Sequence, residues 1–243
     1  MAADKGSISN TGEKKFSVSA FLSQPIKYIR SLCGPEMPHY KLTYFGLKGR
    51  AEIARQLFAL AGVEYEDKRI SFEEWPALKS STPFGQLPLL EVDGVVIAQS
   101  ITIARFLARR FGYAGESDID AAKIDGLADT FADYFTEQKN FFPVLIGRVP
   151  GDKDALYKEV YEPARDKYIP MIIEHFLKKS TSGFLVGSKL SYADLLLAEH
   201  VSTFQEFLPH NWDKYPELLA HRDRIQAIPA LKKWLETRPK TPF

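Results

Sequence analysis

The spacing of apolar residues changes character along this chain, and each change marks an element or a boundary. Tyr40-Lys41-Leu42-Thr43-Tyr44-Phe45 alternates with period two, the repeat of a half-buried strand. From Arg50 to Ala61 the apolar set Ala51, Ile53, Ala54, Leu57, Phe58, Leu60 and Ala61 falls at helical spacing, with Gly62 where a C-terminal cap belongs. Tyr65 to Ile70 reads as a second strand, so the opening is a βαβ unit whose crossover requires a parallel pair. After a loop holding Trp75 and Lys79, the runs Leu87-Pro88-Leu89-Leu90-Glu91-Val92 and Val95-Val96-Ile97 flank Asp93-Gly94, which marks a hairpin. Ser100 is read as the cap of a helix running through Ile103, Ala104, Phe106 and Leu107 to Gly112. The order βαβ-ββα within about 75 residues is that of a thioredoxin-like α/β half.

From about residue 119 onward helical period dominates. Residues Ile119 to Val149 and Lys153 to Lys179 each read as one long amphipathic helix, the first rich in aromatics and the second bent at Pro163 and Pro170. Ser191-Tyr192-Ala193-Asp194 is an S-x-x-D capping pattern directly before Leu195-Leu196-Leu197. Residues 216–228 and 230–236 complete a helical bundle. The expected organisation is an extension over 1–38, an α/β domain over 39–116 and an all-α domain over 117–243. The stretch MAADKGSISNTGEKK is polar and poor in large apolar groups, so disorder is expected there. Phe16 to Leu32 is more apolar but interrupted by Pro25. It reads either as a tail docked loosely on the body or as an amphipathic targeting segment, and its apolar runs are too short for a signal-peptide core.

Composition narrows the function classes. With 45% hydrophobic and 26% charged residues among 243, the chain is of ordinary globular type. The balance of 32 basic against 31 acidic residues creates no field that would hold a nucleic acid or an anionic membrane. Cys33 is the single cysteine, which excludes an internal disulfide, a CxxC redox pair and a cysteine zinc site, and makes a reducing, cytoplasmic compartment the expectation. No apolar run reaches the roughly 18 to 20 residues of a membrane span, and the histidines show no HExxH spacing.

A thioredoxin-like half without CxxC has lost dithiol chemistry but can still recognise an extended, peptide-like ligand. Pro88, after Leu87 at a strand entrance, is a candidate cis-proline; Gln99-Ser100 stands at a helix N-terminus, whose orphan N–H groups favour a carboxylate. Tyr44 ends the first strand and is followed by Gly46, Gly49 and Arg50. Taken singly, each has an ordinary reading as a trans proline, a plain N-cap and a packing tyrosine.

Together the segments MPHYKLTYFGLKGRAEIARQLFALAGVEYED, EEWPALKSSTPFGQLPLLEVDGVVIAQSITIARFLARRFG, GSKLSYADLLLAE and QAIPALKKWLETRP resemble the sigma class of cytosolic glutathione transferases, over about residues 37–243. That class includes the haematopoietic-type prostaglandin D synthases. The resemblance implies an enzyme that conjugates the glutathione thiolate to hydrophobic electrophiles, with isomerisation of prostaglandin H2 to D2 as a further activity. The alternative it carries is a non-catalytic, crystallin-like relative. A thiol with a pKa near 8.5 must be ionised to react, and a shift of about two units is worth roughly 2.7 kcal/mol.

By the resemblance, the Tyr44 hydroxyl donates to the sulfur and Arg50 adds positive potential. Trp75 and Lys79 meet the glycyl carboxylate, and Gln86 stands where many relatives carry lysine. The Leu87 main chain ahead of Pro88 meets the cysteinyl backbone, and Gln99 and Ser100 meet the γ-glutamyl end. Asp133 of a second subunit reaches the γ-glutamyl ammonium, which implies a homodimer. Phe45, Arg50, Phe141, Phe142 and Phe243 are the expected contacts of the second substrate. Some members of the class bind a divalent ion through three aspartates of this helix; Ala132 replaces the middle one beside Asp129 and Asp133, so no metal is expected.

Overall fold

A computed structural model describes residues 37–241 and 243. The expectations for the polar start, the Phe16–Leu32 stretch and Cys33 therefore lie outside the described residues. Strand β1 (Tyr40–Phe45) buries Tyr40, Leu42 and Tyr44 and leaves Lys41, Thr43 and Phe45 partly exposed, as its period-two pattern requires. Helix α1 (Glu52–Ala61), entered through a 3-10 turn at Gly49–Ala51, ends at Gly62 in the left-handed conformation, and β2 (Glu66–Ile70) returns parallel to β1. A short helix α2 (Trp75–Lys79) precedes the hairpin β3 (Leu89–Val92) and β4 (Val95–Ala98). The hairpin turn has Asp93 at φ 48° and Gly94 at φ 84°, two positive values that match the twist of the flanking strands. The sheet order is β2-β1-β3-β4, with β3 antiparallel to both neighbours. This is the thioredoxin-like α/β arrangement followed by helices, as the element order implies.

Helix α3 (Ser100–Phe111) corrects one detail. Ser100 is the first helical residue rather than the cap; the cap position belongs to Gln99, with φ 75° and no side-chain capping bond. The expected single helix over Ile119 to Val149 is also two pieces, α4 (Asp118–Glu137) and α5 (Phe142–Leu145). Pro143 sits in the first turn of α5, where it lacks the N–H and the space that a continuous helix would need. The next segment is continuous but uneven. Helix α6 (Lys153–Leu156) and α7 (Glu162–Ile172) are joined by a widened turn at Tyr157–Tyr161, and a second widened turn follows at Ile173–Leu177. These turns flank Pro163 and Pro170, each of which removes one rung from the hydrogen-bond ladder.

Helix α8 (Tyr192–Phe207) runs through the core, where it packs on α1, α3, α4 and on α9 (Pro216–Gln226). Its cap is held by Asp194, whose carboxylate accepts from the Ser191 N–H at 2.9 Å and the Ser191 hydroxyl at 2.8 Å. The same carboxylate accepts from the Leu185 N–H at 2.8 Å and lies 3.0 Å from His221 Nε2 on α9. His200 on α8 is enclosed by Phe131, Tyr134, Phe204 and Trp212, and burial pushes its imidazolium down to about 3, so the ring is neutral.

Where α1 meets α8 and α10 (Pro229–Thr237), a buried polar cluster replaces apolar packing. Arg238 Nη1 donates to Glu52 at 2.6 Å and to Glu199 at 3.3 Å, and Gln56 Nε2 donates to the same two carboxylates at 3.3 and 2.8 Å. Trp234 adds an N–H to Glu52 at 2.8 Å.

Candidate active site

The alternation of β1 turns Tyr44 inward, with 8% of its surface exposed, and carries its ring towards the 3-10 turn that opens α1. There the hydroxyl accepts the Arg50 N–H at 3.2 Å. Its lone pair is thus engaged by the backbone while its own proton remains available to an acceptor. Burial raises the Tyr44 pKa, and the Arg50 N–H together with the charges of Arg50, Arg55 and Arg148 draws it partly back. The group is therefore a protonated hydroxyl at neutral pH, in a positive local potential.

Tyr44 opens onto a cleft of about 320 Å³ lined by Phe45, Arg50, Trp75, Gly85, Gln86, Leu87 and Arg148. The lining contains two guanidinium groups and no carboxylate, which suits an anionic ligand. Leu87 and Pro88 are joined by a cis peptide bond. Lys79 packs beside this wall, its Cε 3.6 Å from where a β-carbon on Gly85 would stand. Gln99 reaches the same wall, its Nε2 donating to Gln86 Oε1 at 3.3 Å, and brings Ser100 and the N-terminus of α3 with it. The strand-end tyrosine, the Trp75/Lys79 helix, the Leu87-Pro88 pair and the Gln99-Ser100 pair thus converge on one end of the sheet.

The remaining expected positions lie elsewhere. Asp133 is exposed on α4 and does not line the cleft. Phe141 is fully buried and stacks on Tyr161 at 4.9 Å, so its surface is spent on the core of the helical half. Phe142 is half-buried between Phe204 and Phe243, at ring distances of 5.6 and 6.0 Å. The carbonyl of Phe243 accepts the Lys48 N–H at 2.7 Å, which fastens it next to the Gly49–Ala51 turn.

Arg148 and Phe72 were not singled out by the sequence. Phe72 stacks on Phe45 at 4.4 Å, and the Arg148 guanidinium sits over the Phe72 ring at 4.5 Å. The only signal of Arg148 in the sequence is its setting in Gly147-Arg148-Val149-Pro150-Gly151, a glycine- and proline-framed loop of the kind that carries function. Among the described residues, no group of three or more His, Cys, Asp or Glu side chains could hold a metal ion, and no helix is long and apolar enough to cross a membrane.

Comparison with known proteins accounts for this arrangement. Residues 40–109 match the family model for the glutathione S-transferase N-terminal domain, and residues 140–238 that for its C-terminal domain. The chain is 48% identical over 207 residues to probable glutathione S-transferase 7 of Caenorhabditis elegans, covering 85% of this chain and 100% of that protein. It is 40% identical over 205 residues to the hematopoietic prostaglandin D synthase of Gallus gallus, covering 84% and 99%. Among solved structures, the monomeric Na-GST-3 of the hookworm Necator americanus superposes with a TM-score of 0.81 at 50% identity, over 84% of this chain and 100% of that one. A Nu-class transferase from Haemonchus contortus gives 0.77 at 50% identity, over 85% and 100%. With both domain models matched in order and relatives near half identity covered end to end, the chain belongs to the glutathione S-transferase family and is an enzyme that uses glutathione as its co-substrate.

Proposed function

We propose that the chain is a sigma-like, Nu-related glutathione transferase acting on hydrophobic electrophiles in the cytosol. Residues 39–116 hold the tripeptide, and residues 117–243 supply one wall of the electrophile site. The observation that carries this reading is the buried Tyr44 hydroxyl, which accepts the Arg50 N–H at 3.2 Å and keeps its own proton for a sulfur in the cleft. A thiolate there is stabilised by that hydrogen bond and by the Arg50 charge, which lowers the thiol pKa towards neutrality. Trp75, Lys79 and Gln86 receive the glycyl end, the Leu87 main chain beside Pro88 receives the cysteinyl backbone, and Gln99 and Ser100 receive the γ-glutamyl end. Asp133 acts on a second copy of the chain in a homodimer. The electrophile meets Phe45 and Arg50 on one side and Phe142 and Phe243 towards the other.

Tyr44→Phe tests the assignment, because it removes one donor and leaves the ring, the fold and the peptide contacts. Turnover of 1-chloro-2,4-dinitrobenzene should fall by about 100- to 1,000-fold, the usual effect of losing one preorganised donor to an anion. The thiolate absorbance of bound glutathione, followed against pH, should shift upward. An unchanged thiol pKa removes Tyr44 from this role. Isomerisation of prostaglandin H2 is the second reading, favoured by the 40% identity to the avian synthase, and assay of that endoperoxide with the same preparation decides it.

A further inference from the structure

The two guanidinium groups of the cleft come from segments far apart in the chain. Arg50 belongs to the turn before α1, beside the Tyr44 hydroxyl, and Arg148 to the loop that follows α5. Among the described residues neither has a carboxylate partner. What holds Arg148 is the face of Phe72, at 4.5 Å, and Phe72 is itself 44% exposed and stacked on Phe45 with ring planes 26° apart. A guanidinium resting on a ring keeps its N–H groups free to donate, and a charge-assisted bond to an oxyanion is stronger than the ring contact. Phe72 thus packs on the Phe45 ring and carries the guanidinium over its own ring, and Phe45 and Arg148 both line the cleft. The Arg148 charge is also felt at the Tyr44 oxygen, so it stands within electrostatic reach of a sulfur bound there.

We infer that Arg148 is a specificity-determining residue that favours α,β-unsaturated carbonyl compounds, by donating to the carbonyl oxygen as it becomes an enolate. The inference rests on the conjugation reading given above. When the thiolate sulfur bonds to the β-carbon, the C=C electron pair moves to join the α-carbon to the carbonyl carbon. The C=O pair then moves onto oxygen. The negative charge lost by sulfur thus appears on that oxygen, where Arg148 receives it, and the α-carbon afterwards takes a proton from solvent. The apolar part of such a substrate packs against Phe45, which lines the cleft together with Arg148, so its carbonyl oxygen comes within reach of the guanidinium. A displacement at an alkyl halide develops no such oxyanion, because the charge leaves with the halide, so it gains nothing from this donor.

The test compares kcat/KM for 4-phenyl-3-buten-2-one and for 1-iodohexane with the same enzyme preparations. Any influence of Arg148 on the thiolate, or on the fraction of folded enzyme, falls on both substrates and cancels in their ratio. Arg148→Gln should lower the enone-to-iodide ratio at least tenfold, mainly through kcat, and Arg148→Lys should recover part of it. An equal loss with both substrates would show that Arg148 acts through the sulfur alone and would overturn the inference, as would an unchanged ratio. If the unsubstituted enzyme turned over 1-chloro-2,4-dinitrobenzene but not the enone, the inference would fail alone; if it turned over none of the three with glutathione, the conjugation reading itself would fail.

Discussion

Gly49 leaves open the space occupied by the Tyr44 hydroxyl. A β-carbon at residue 49 would stand 2.7 Å from that oxygen, 2.7 Å from Leu47 Cδ1 and 3.0 Å from the Tyr44 ring, and the backbone there has φ +42°. Leu47 can swing away, but the tyrosine cannot move without leaving the Arg50 N–H. Gly49 is therefore a positioning residue for the hydroxyl, and its left-handed conformation makes any side chain unwelcome twice over.

Gly49→Ala should consequently lower kcat by about tenfold or more and raise the pKa of the bound thiol, with a stability loss of roughly 1–2 kcal/mol from the left-handed backbone alone. A double-mutant cycle with Tyr44→Phe separates contact from strain. Once the hydroxyl is gone, adding the alanine should cost little further activity. Fully additive losses would show that Gly49 does not act on the hydroxyl.

The buried Glu52–Glu199 pair makes stability depend on pH. Burial, and after it the charge of Glu52, push Glu199 from its ordinary 4.5 up to about 7, against the opposing pull of Arg238 and Lys48. Between those values the folded protein binds more protons than the unfolded chain, so stability falls as pH rises from about 4.5 to about 7. Glu199→Gln should flatten this dependence by on the order of 1–3 kcal/mol, read from urea unfolding at about pH 5 and about pH 8. Identical slopes in the two proteins would exclude Glu199 as the source.

Asp194 is fully buried and satisfies donors from three places: the α8 cap, the backbone at Leu185 and His221 of α9. Asp194→Ala strands those donors without water. It should destabilise the fold by about 3–5 kcal/mol, with Asp194→Asn less severe because one carbonyl oxygen remains. The shift of the unfolding midpoint measures this. A change below about 1 kcal/mol would mean that the capping network is dispensable.

Asp133 is exposed in the single chain, as a residue offered to a second copy must be. If it meets the γ-glutamyl ammonium across a dimer, Asp133→Ala should weaken glutathione binding by roughly 1.5–3 kcal/mol, the range for a lost charge-assisted hydrogen bond. Na-GST-3, half identical to this chain, is described as monomeric, which makes sedimentation alongside the assay the decisive measurement. A fully active monomer would exclude a role for Asp133 in trans.

What the sequence determined by itself is what depends on neighbours along the chain. The alternation in Tyr40–Phe45, the helical spacing ending at Gly62, the Asp93-Gly94 turn and the Ser191-Asp194 cap are each set by a few consecutive residues, because strand period, helix period and turn conformation are local properties. Tyr44, Trp75, the Leu87-Pro88 pair and Gln99, which meet at one cleft, stand in short motifs at strand ends and helix starts, and it was the resemblance that grouped them. The interruption of the helix after Glu137 was not legible, since the apolar spacing runs on through it and Pro143 is tolerated in a first helical turn, where Phe141 stacks on Tyr161 of the helical half. Tertiary structure alone decided that Arg148 reaches Phe72 from the other half of the chain and that Asp194 serves Leu185 and His221 as well as its own helix. It also decided that Gly49 faces the tyrosine hydroxyl. These relationships join residues that periodicity treats as unrelated; they arise only when the sheet and the helices bury their apolar faces against one another and fix which side chains remain at the edge of the cleft.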